Sequence, residues 1–169
     1  MQDIELRTGT AQGARDAIKE ISMSAAMQVK IGVQPTHSVV TELLAKAELP
    51  TADITHSMLR DFLFAGSAAA PLGIVGLEIE SPHALLRSLV VDAPLRSSGL
   101  GSRLLEAAEA YASARGVRDL YLLTTTAESF FAKHGYTRAS RDEAPQIIRS
   151  SREFASLCPA SAAFMLKKL

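Results

Sequence analysis

Seven consecutive residues, Arg96-Ser97-Ser98-Gly99-Leu100-Gly101-Ser102, put one guanidinium, three hydroxyls and two glycines where an apolar run gives way to a helical period. The run is Leu89-Val90-Val91, suited to a buried strand. The period is Leu100, Leu104, Leu105, Ala108, Tyr111 and Ala112, spaced to share one helix face. The first four N–H groups of a helix have no internal partner. Glycines without Cβ atoms let a ligand approach the backbone. The helix dipole contributes partial positive charge at that end and Arg96 a whole one. Together these make an anion site suited to phosphate oxygens.

Two common phosphate loops do not fit. No Lys follows Gly99 or Gly101, as G-x-x-x-x-G-K-[ST] requires. Leu104 stands where G-x-G-x-x-G needs its third glycine. What remains is R-x-x-G-x-G between a strand and a helix.

A second place for chemistry is an acid and a base inside apolar strands. Glu78 lies in GIVGLEIE (73–80) and Arg87 in ALLRSLVV (84–91). A two-residue turn at Pro82-His83 makes them cross-strand partners; a three-residue turn offsets them. One reading is a structural ion pair on a partly solvated face. The other lines an acceptor pocket, with Glu78 as base, directly or through water, and Arg87 as anion clamp. His37, His56, His83 and His134 are scattered and form no metal-ligand cluster. His134 reads as structural, a cation suited to the last turn of its helix.

The elements that must hold these groups follow from pattern. The expected order begins with a strand at Val29–Val33 and a helix over 37–47, with Val40, Leu43, Leu44 and Ala47 on one face. A short helix or loop over 51–61 follows, capped by Asp53 or Thr55. Next come a strand Phe62–Ala65, a turn Gly66–Pro71, and an antiparallel hairpin of Gly73–Glu80 with Ala84–Val91 around Ser81-Pro82-His83. After the loop and its helix, Gly116 reads as the C′ residue. A strand Val117–Leu123, a helix Ala127–His134, a helix Asp142–Ser151, a loop Phe154–Pro159 and a last strand Ala162–Leu166 complete the order. Ile4-Glu5-Leu6 and a helix Ala11–Ile21 capped by Thr10 are the expectation for an N-terminal extension, residues 1–26. The main domain is then 27–169.

The 169 residues suffice for one domain with a full core. Eighteen basic and eighteen acidic residues cancel, against a general nucleic-acid binder. No run of 18 apolar residues suggests a membrane span, and the start MQDIELRTG has no signal-peptide pattern. A single cysteine makes no internal disulfide, so the expected compartment is the cytoplasm.

R-x-x-G-x-G, the strand after it and the helix ending F-F-A-K-H-G-Y (130–136) resemble, in order and spacing, the GNAT superfamily of acyl-coenzyme A N-acyltransferases. The resemblance covers roughly residues 27–169. It implies an α/β (α+β) fold with a mixed, mostly antiparallel sheet flanked by helices. That sheet splays between its fourth and fifth strands to admit acetyl-CoA, the co-substrate, with no metal. It implies direct acetyl transfer to a primary amine. Arg96, Ser97, Ser98, Gly99, Leu100, Gly101 and Ser102 would hold the pyrophosphate, mainly through backbone N–H groups. Leu89, Val90 and Val91 would pair with the pantetheine amides as an added strand. Phe131 falls at the coenzyme where many members carry a thiolate-protonating tyrosine; it has no hydroxyl, and Tyr136 reads as core. Ser97-Ser98 depart from the usual basic or glycine residues but leave the backbone cradle. Thr125, within Thr124-Thr125-Thr126, could meet acceptor or coenzyme; β-propensity and helix capping by Thr126 are the stronger explanation of the run.

The tail IIRSSREFASLCPASA, with ELLAKAELPTAD and LYLLTTTAESFFAKHGY, resembles an arsenic-resistance-operon branch of the superfamily, the ArsN-type N-acetyltransferases. That resemblance implies a small anionic amino-acid-like acceptor, with arsinate or phosphinate among its acid groups. Cys158 reads as packing before a proline rather than as an arsenic ligand. The expected partner is a small-molecule amine, with a homodimer left open and with neither nucleic acid nor membrane. The rival functions are a protein or peptide N-acetyltransferase and a non-catalytic acyl-CoA sensor.

Overall fold

A computed structural model describes residues 29–169. The expectations for Ile4–Leu6, Ala11–Ile21 and a boundary at Met27 lie outside the described residues. The elements are, in order, β1 (Ile31–Val33), α1 (His37–Lys46), β2 (Phe62–Ser67), β3 (Ala70–Glu80), β4 (His83–Val91) and α2 (Leu100–Ala114). Then come β5 (Asp119–Thr124), α3 (Glu128–Lys133), β6 (Thr137–Arg138), α4 (Gln146–Ser150) and β7 (Ala163–Lys168). The strands form one sheet in the order β1-β2-β3-β4-β5-β7-β6. Every pairing is antiparallel except β4 with β5, the mixed, mostly antiparallel sheet that was expected.

Alternation along the strands decides which helix covers which face. Leu63, Ala65, Val75, Leu77, Ala84 and Leu86 pack under α2, against Leu100, Leu104, Leu105, Ala108 and Ala112. Phe62, Phe64 and Ile74 point the other way, against Val40, Leu43 and Leu44 of α1. Farther along that second face, Leu85, Tyr121 and Phe164 pack on Ile148 of α4. Gly116 ends α2 in the left-handed region, as a C′ glycine does, with Val117 N–H donating to Ala112 O.

Two local features position the site. The pairing of β4 with β5 runs only from His83↔Asp119 to Leu86↔Leu122. Beyond it the two strands part, and the edge of β4 from Arg87 to Val91 faces the gap. The second feature is a bulge. Ile74 pairs with Val90 and Gly76 with Arg87, so β4 holds one extra residue opposite Val75. Ser88 takes a left-handed φ of 57° there. The extra residue resets alternation: Val90 joins the α1 side, while Leu89 and Val91 turn to the α2 side.

Several boundaries differ from the sequence expectation. The hairpin loop is only Ser81–Pro82, with Glu80 paired to His83. Glu78 therefore faces Leu85, and Arg87 is its diagonal neighbour on the same face. The expected helix over 142–151 is a 3₁₀ turn Arg141–Glu143 and the short α4. Pro145 separates them, because a proline disfavours helix in the residue before it. The expected loop from Phe154 is a π-helical turn, Glu153–Leu157. Thr126 does not cap α3; Thr124 Oγ1 accepts from Ala127 N–H at 3.0 Å. Among the described residues no helix is long and apolar enough to cross a membrane, and no cluster could hold a metal.

Candidate active site

A cavity of about 720 Å³ opens where β4 and β5 part. Leu89 and Val91 line it from β4, and Arg96, Ser97, Gly99, Gly101 and Ser102 from the loop and first turn of α2. Thr124, Thr125 and Thr126 line it from the end of β5, Phe130 and Phe131 from α3. Arg87, Ser88, Glu153 and Cys158 also line it. Of the residues picked out from sequence, Val90, Ser98, Leu100 and Glu78 do not line it. Val90 is buried toward α1 by the bulge, and Leu100 is core. Ser98 is buried, its Oγ accepting from Leu100 N–H at 3.4 Å.

The loop builds a concave donor surface. Ser97 and Gly99 both lie in the left-handed region, with φ of 66° and 87°. Such alternation turns successive N–H groups the same way. Arg96 and Ser98 N–H donate within the turn, to Ala93 O and Leu95 O. In the first turn of α2, Leu100 N–H donates to Ser98 Oγ and Arg103 N–H to Gly99 O, while those of Gly101 and Ser102 have no helical partner. A Cβ added at Gly101 would lie 3.7 Å from Val91 Cγ2 and 3.8 Å from the Phe130 ring. The protein tolerates that methyl; the space it would take is cavity.

Around Arg87 the structure gathers more than the Glu78 pair. Its side chain is 1% exposed. Nη1 donates to Asp53 Oδ2 at 2.5 Å and to Glu78 Oε1 at 2.7 Å. Nε donates to Ser88 Oγ at 3.3 Å, and Nη2 lies 3.2 Å from Glu153 Oε1. Three carboxylates against one guanidinium leave net negative charge. Asp53 follows α1 and Glu153 follows α4, so the two halves of one sheet face converge on β4. Burial works against the charge of Arg87, and Asp53, Glu153 and Glu78 outweigh it, raising its pKa. Nη2 is buried without a hydrogen-bond partner among the described residues, as is Asp53 Oδ1.

Glu153 is the carboxylate of this cluster that lines the cavity. Burial pushes its pKa up; Arg87 opposes, and Glu78 and Asp53 add to the rise, to about 7. Cys158 lines the cavity nearby, its thiol raised first by burial. Tyr136 is 2% exposed and packs edge-on to Phe131, with burial raising its hydroxyl well above the ordinary value. It does not reach the cavity. Asp53, Glu153 and Phe130 were not singled out as site residues from sequence. The one available signal was Arg87 itself, a charge inside an apolar strand that demands anions from somewhere.

Residues 60–138 match the acetyltransferase (GNAT) domain family. Over 83% of this chain the fold superposes on N-acetylglutamate synthase from Neisseria gonorrhoeae, solved with coenzyme A and N-acetyl-glutamate. The TM-score is 0.69 at 18% identity, and 35% of that chain is covered. The fold is therefore the GNAT fold, a mixed sheet flanked by helices. In sequence the chain is 43% identical over 74 residues to N-alpha-acetyltransferase 80 of Mus musculus, covering 42% of this chain. It is 40% identical over 58 residues to an amino-acid acetyltransferase of Ralstonia nicotianae, covering 34% of this chain. It spans only 24% and 13% of those two relatives' lengths.

Proposed function

We propose that this chain transfers acetyl from acetyl-CoA to the primary amine of a small, amino-acid-like acceptor. The observation that carries this is a single cavity lined both by an anion cradle and by a buried acid–base cluster. Coenzyme A lies along the parted edge of β4. Its pyrophosphate sits on the Ser97–Ser102 backbone beside Arg96, and its pantetheine amides pair with the backbone of Leu89–Val91. The acetyl thioester is the group it supplies.

Only a free amine attacks. Glu153 takes the proton from the acceptor ammonium, since it lines the cavity where Glu78 does not. Glu78 and Asp53 then hold Arg87 in place. The amine nitrogen bonds to the thioester carbon, the C–S bond breaks, and the thiolate takes the second nitrogen proton. No hydroxyl from Phe131 or Tyr136 assists; a thiol of pKa about 8.5 is a fair leaving group. Phe131 packs at the coenzyme and Thr125 borders the acceptor.

Glu153 and Arg87 Nη2, side by side, also suit an acceptor whose acid group adjoins its amine. Glu153 meets the ammonium, and Nη2, ion-paired to Glu153 but without a hydrogen bond among the described residues, meets the acid. The acid group can be a carboxylate, or the phosphinate or arsinate implied by the tail's resemblance. The likeness to the amino-acid acetyltransferase of Ralstonia nicotianae supports this reading; the likeness to N-alpha-acetyltransferase 80 favours a peptide N-terminus as the second one. The test is release of coenzyme A thiol on mixing acetyl-CoA with amino acids, their amides, phosphinate and arsinate analogues, and short peptides. Turnover of free amino acids above amides and peptides is expected. Preference for peptides selects the second reading, and no release with any amine leaves a non-catalytic acyl-CoA sensor.

A further inference from the structure

We propose that His134 is a proton-linked positioning residue for the coenzyme phosphates, acting through Ser102; the inference rests on the cradle reading above. His134 ends α3, and Ser102 stands in the first turn of α2 and lines the cavity. His134 Nδ1 lies 2.8 Å from Phe130 O, and Nε2 lies 3.0 Å from Ser102 Oγ. The backbone N–H of His134 donates to Phe131 O, so the Phe130 carbonyl remains for the ring.

A carbonyl oxygen only accepts, so Nδ1 carries a proton in either charge state. In neutral His134, Nε2 is then a bare acceptor, and Ser102 donates its hydroxyl proton to it. Ser102 shows the cavity only lone pairs, which repel a phosphate oxygen. When His134 is protonated, Nε2 becomes a donor to Ser102 Oγ. The hydroxyl proton is released to swing toward the cavity and donate to phosphate. One proton on the ring thus converts Ser102 from acceptor to donor at the cradle and adds a positive charge behind it.

The charged groups around the pair are Arg103, next to Ser102, which donates to Val29 O at 2.9 Å, and Lys133, next to His134. Glu128, on the same helix, is held by Arg138 at 2.7 Å. Arg and Lys keep their charge throughout the range in which histidine titrates, about pH 5–8. At the cavity itself two other groups titrate in that range: Glu153, which lines it, and the coenzyme's own phosphomonoester, with a second pKa of about 6 by analogy with phosphoserine. Comparison with the variants cancels both.

The experiment measures the Kd of coenzyme A by calorimetry from pH 5.5 to 8.5 for wild type, His134→Gln and Ser102→Ala. One charge-assisted hydrogen bond corresponds to about tenfold in affinity. Both variants should therefore bind about tenfold more weakly than wild type at pH 5.5 and nearly equally at pH 8.5, and the double variant no worse than either. By reciprocity the wild-type His134 ring, followed by NMR, should titrate about one unit higher with coenzyme A bound. That second measurement needs no variant to fold. Ratios independent of pH together with an unmoved His134 titration overturn the proton link while leaving the cradle intact. Failure of wild type to bind coenzyme A at any pH overturns the cradle reading and this inference with it.

Discussion

Glu153→Gln separates the catalytic and structural consequences of one buried acid. Glutamine copies the protonated side chain in shape and removes its titration. In the folded protein Glu153 titrates at about 7 rather than at its ordinary 4.5. The folded state therefore holds more protons than the unfolded chain between those two values. Its stability falls as the pH climbs through that window. At 1.36 kcal/mol per unit, the change between pH 5 and pH 8 is about 2–3 kcal/mol. For a domain of this size that is roughly 5–10 °C in melting temperature. The variant should gain that much over wild type on moving from pH 5 to pH 8, read by thermal denaturation at both pH values.

Activity should move the opposite way. A general base contributes about 10²–10⁴-fold, so kcat/KM of the variant should fall by that factor at pH 8. Wild-type kcat/KM should decline below a limb near pH 7, and the variant should lack that limb. Glu78→Gln is the comparator: its carboxylate is off the cavity wall and about a third exposed, so it should cost less. A Glu153→Gln enzyme with kcat/KM within threefold of wild type, or with no relative gain in melting temperature at pH 8, refutes the assignment. A larger loss in Glu78→Gln returns the base to Glu78.

Acetyl-CoA at about 100 times its Kd should raise the wild-type melting temperature by roughly 5–10 °C, from about 2.7 kcal/mol of linkage. Gly101→Val should abolish that rise with little change in the unliganded protein, because its Cβ enters open cavity; an undiminished rise places the coenzyme elsewhere. Tyr136→Phe should keep turnover within about threefold, since the hydroxyl is buried in the core; a loss of 10²-fold or more would make Tyr136 the general acid. Arg87→Ala should destabilise by roughly 3–5 kcal/mol by leaving Asp53 and its companions unpaired. If Nη2 also holds the acceptor's acid group, the amino-acid to amide ratio of kcat/KM should fall by about 10²-fold in that variant, and an unchanged ratio removes Arg87 from the acceptor site.

What could be read from sequence and what could not divide along range rather than along importance. The cradle was legible because its parts are chain neighbours: the strand run, the two glycines and the Leu100–Ala112 face lie in a row. Splaying of β4 from β5 was reachable only through the family resemblance; the two strands pair only from His83↔Asp119 to Leu86↔Leu122. The bulge at Ser88 left no trace in the hydropathy of ALLRSLVV, because the residues on both sides of the reset are apolar on both faces of the sheet. The acid cluster was legible only by its centre. Asp53 read as a helix cap, and Glu153 fell between the expected helix Asp142–Ser151 and the expected loop Phe154–Pro159 without a role of its own. Arg87 needs anions, and Glu78 supplies only the first of them. The guanidinium of a strand residue has five donors, and one diagonal carboxylate uses only part of them. A buried arginine between two elements on one sheet face should be expected to draw an anion from each. Here α1 and α4 cover that face from either side, and the segments that follow them supply Asp53 and Glu153. The gathering of three carboxylates on one buried guanidinium is thus a consequence of covering that sheet face.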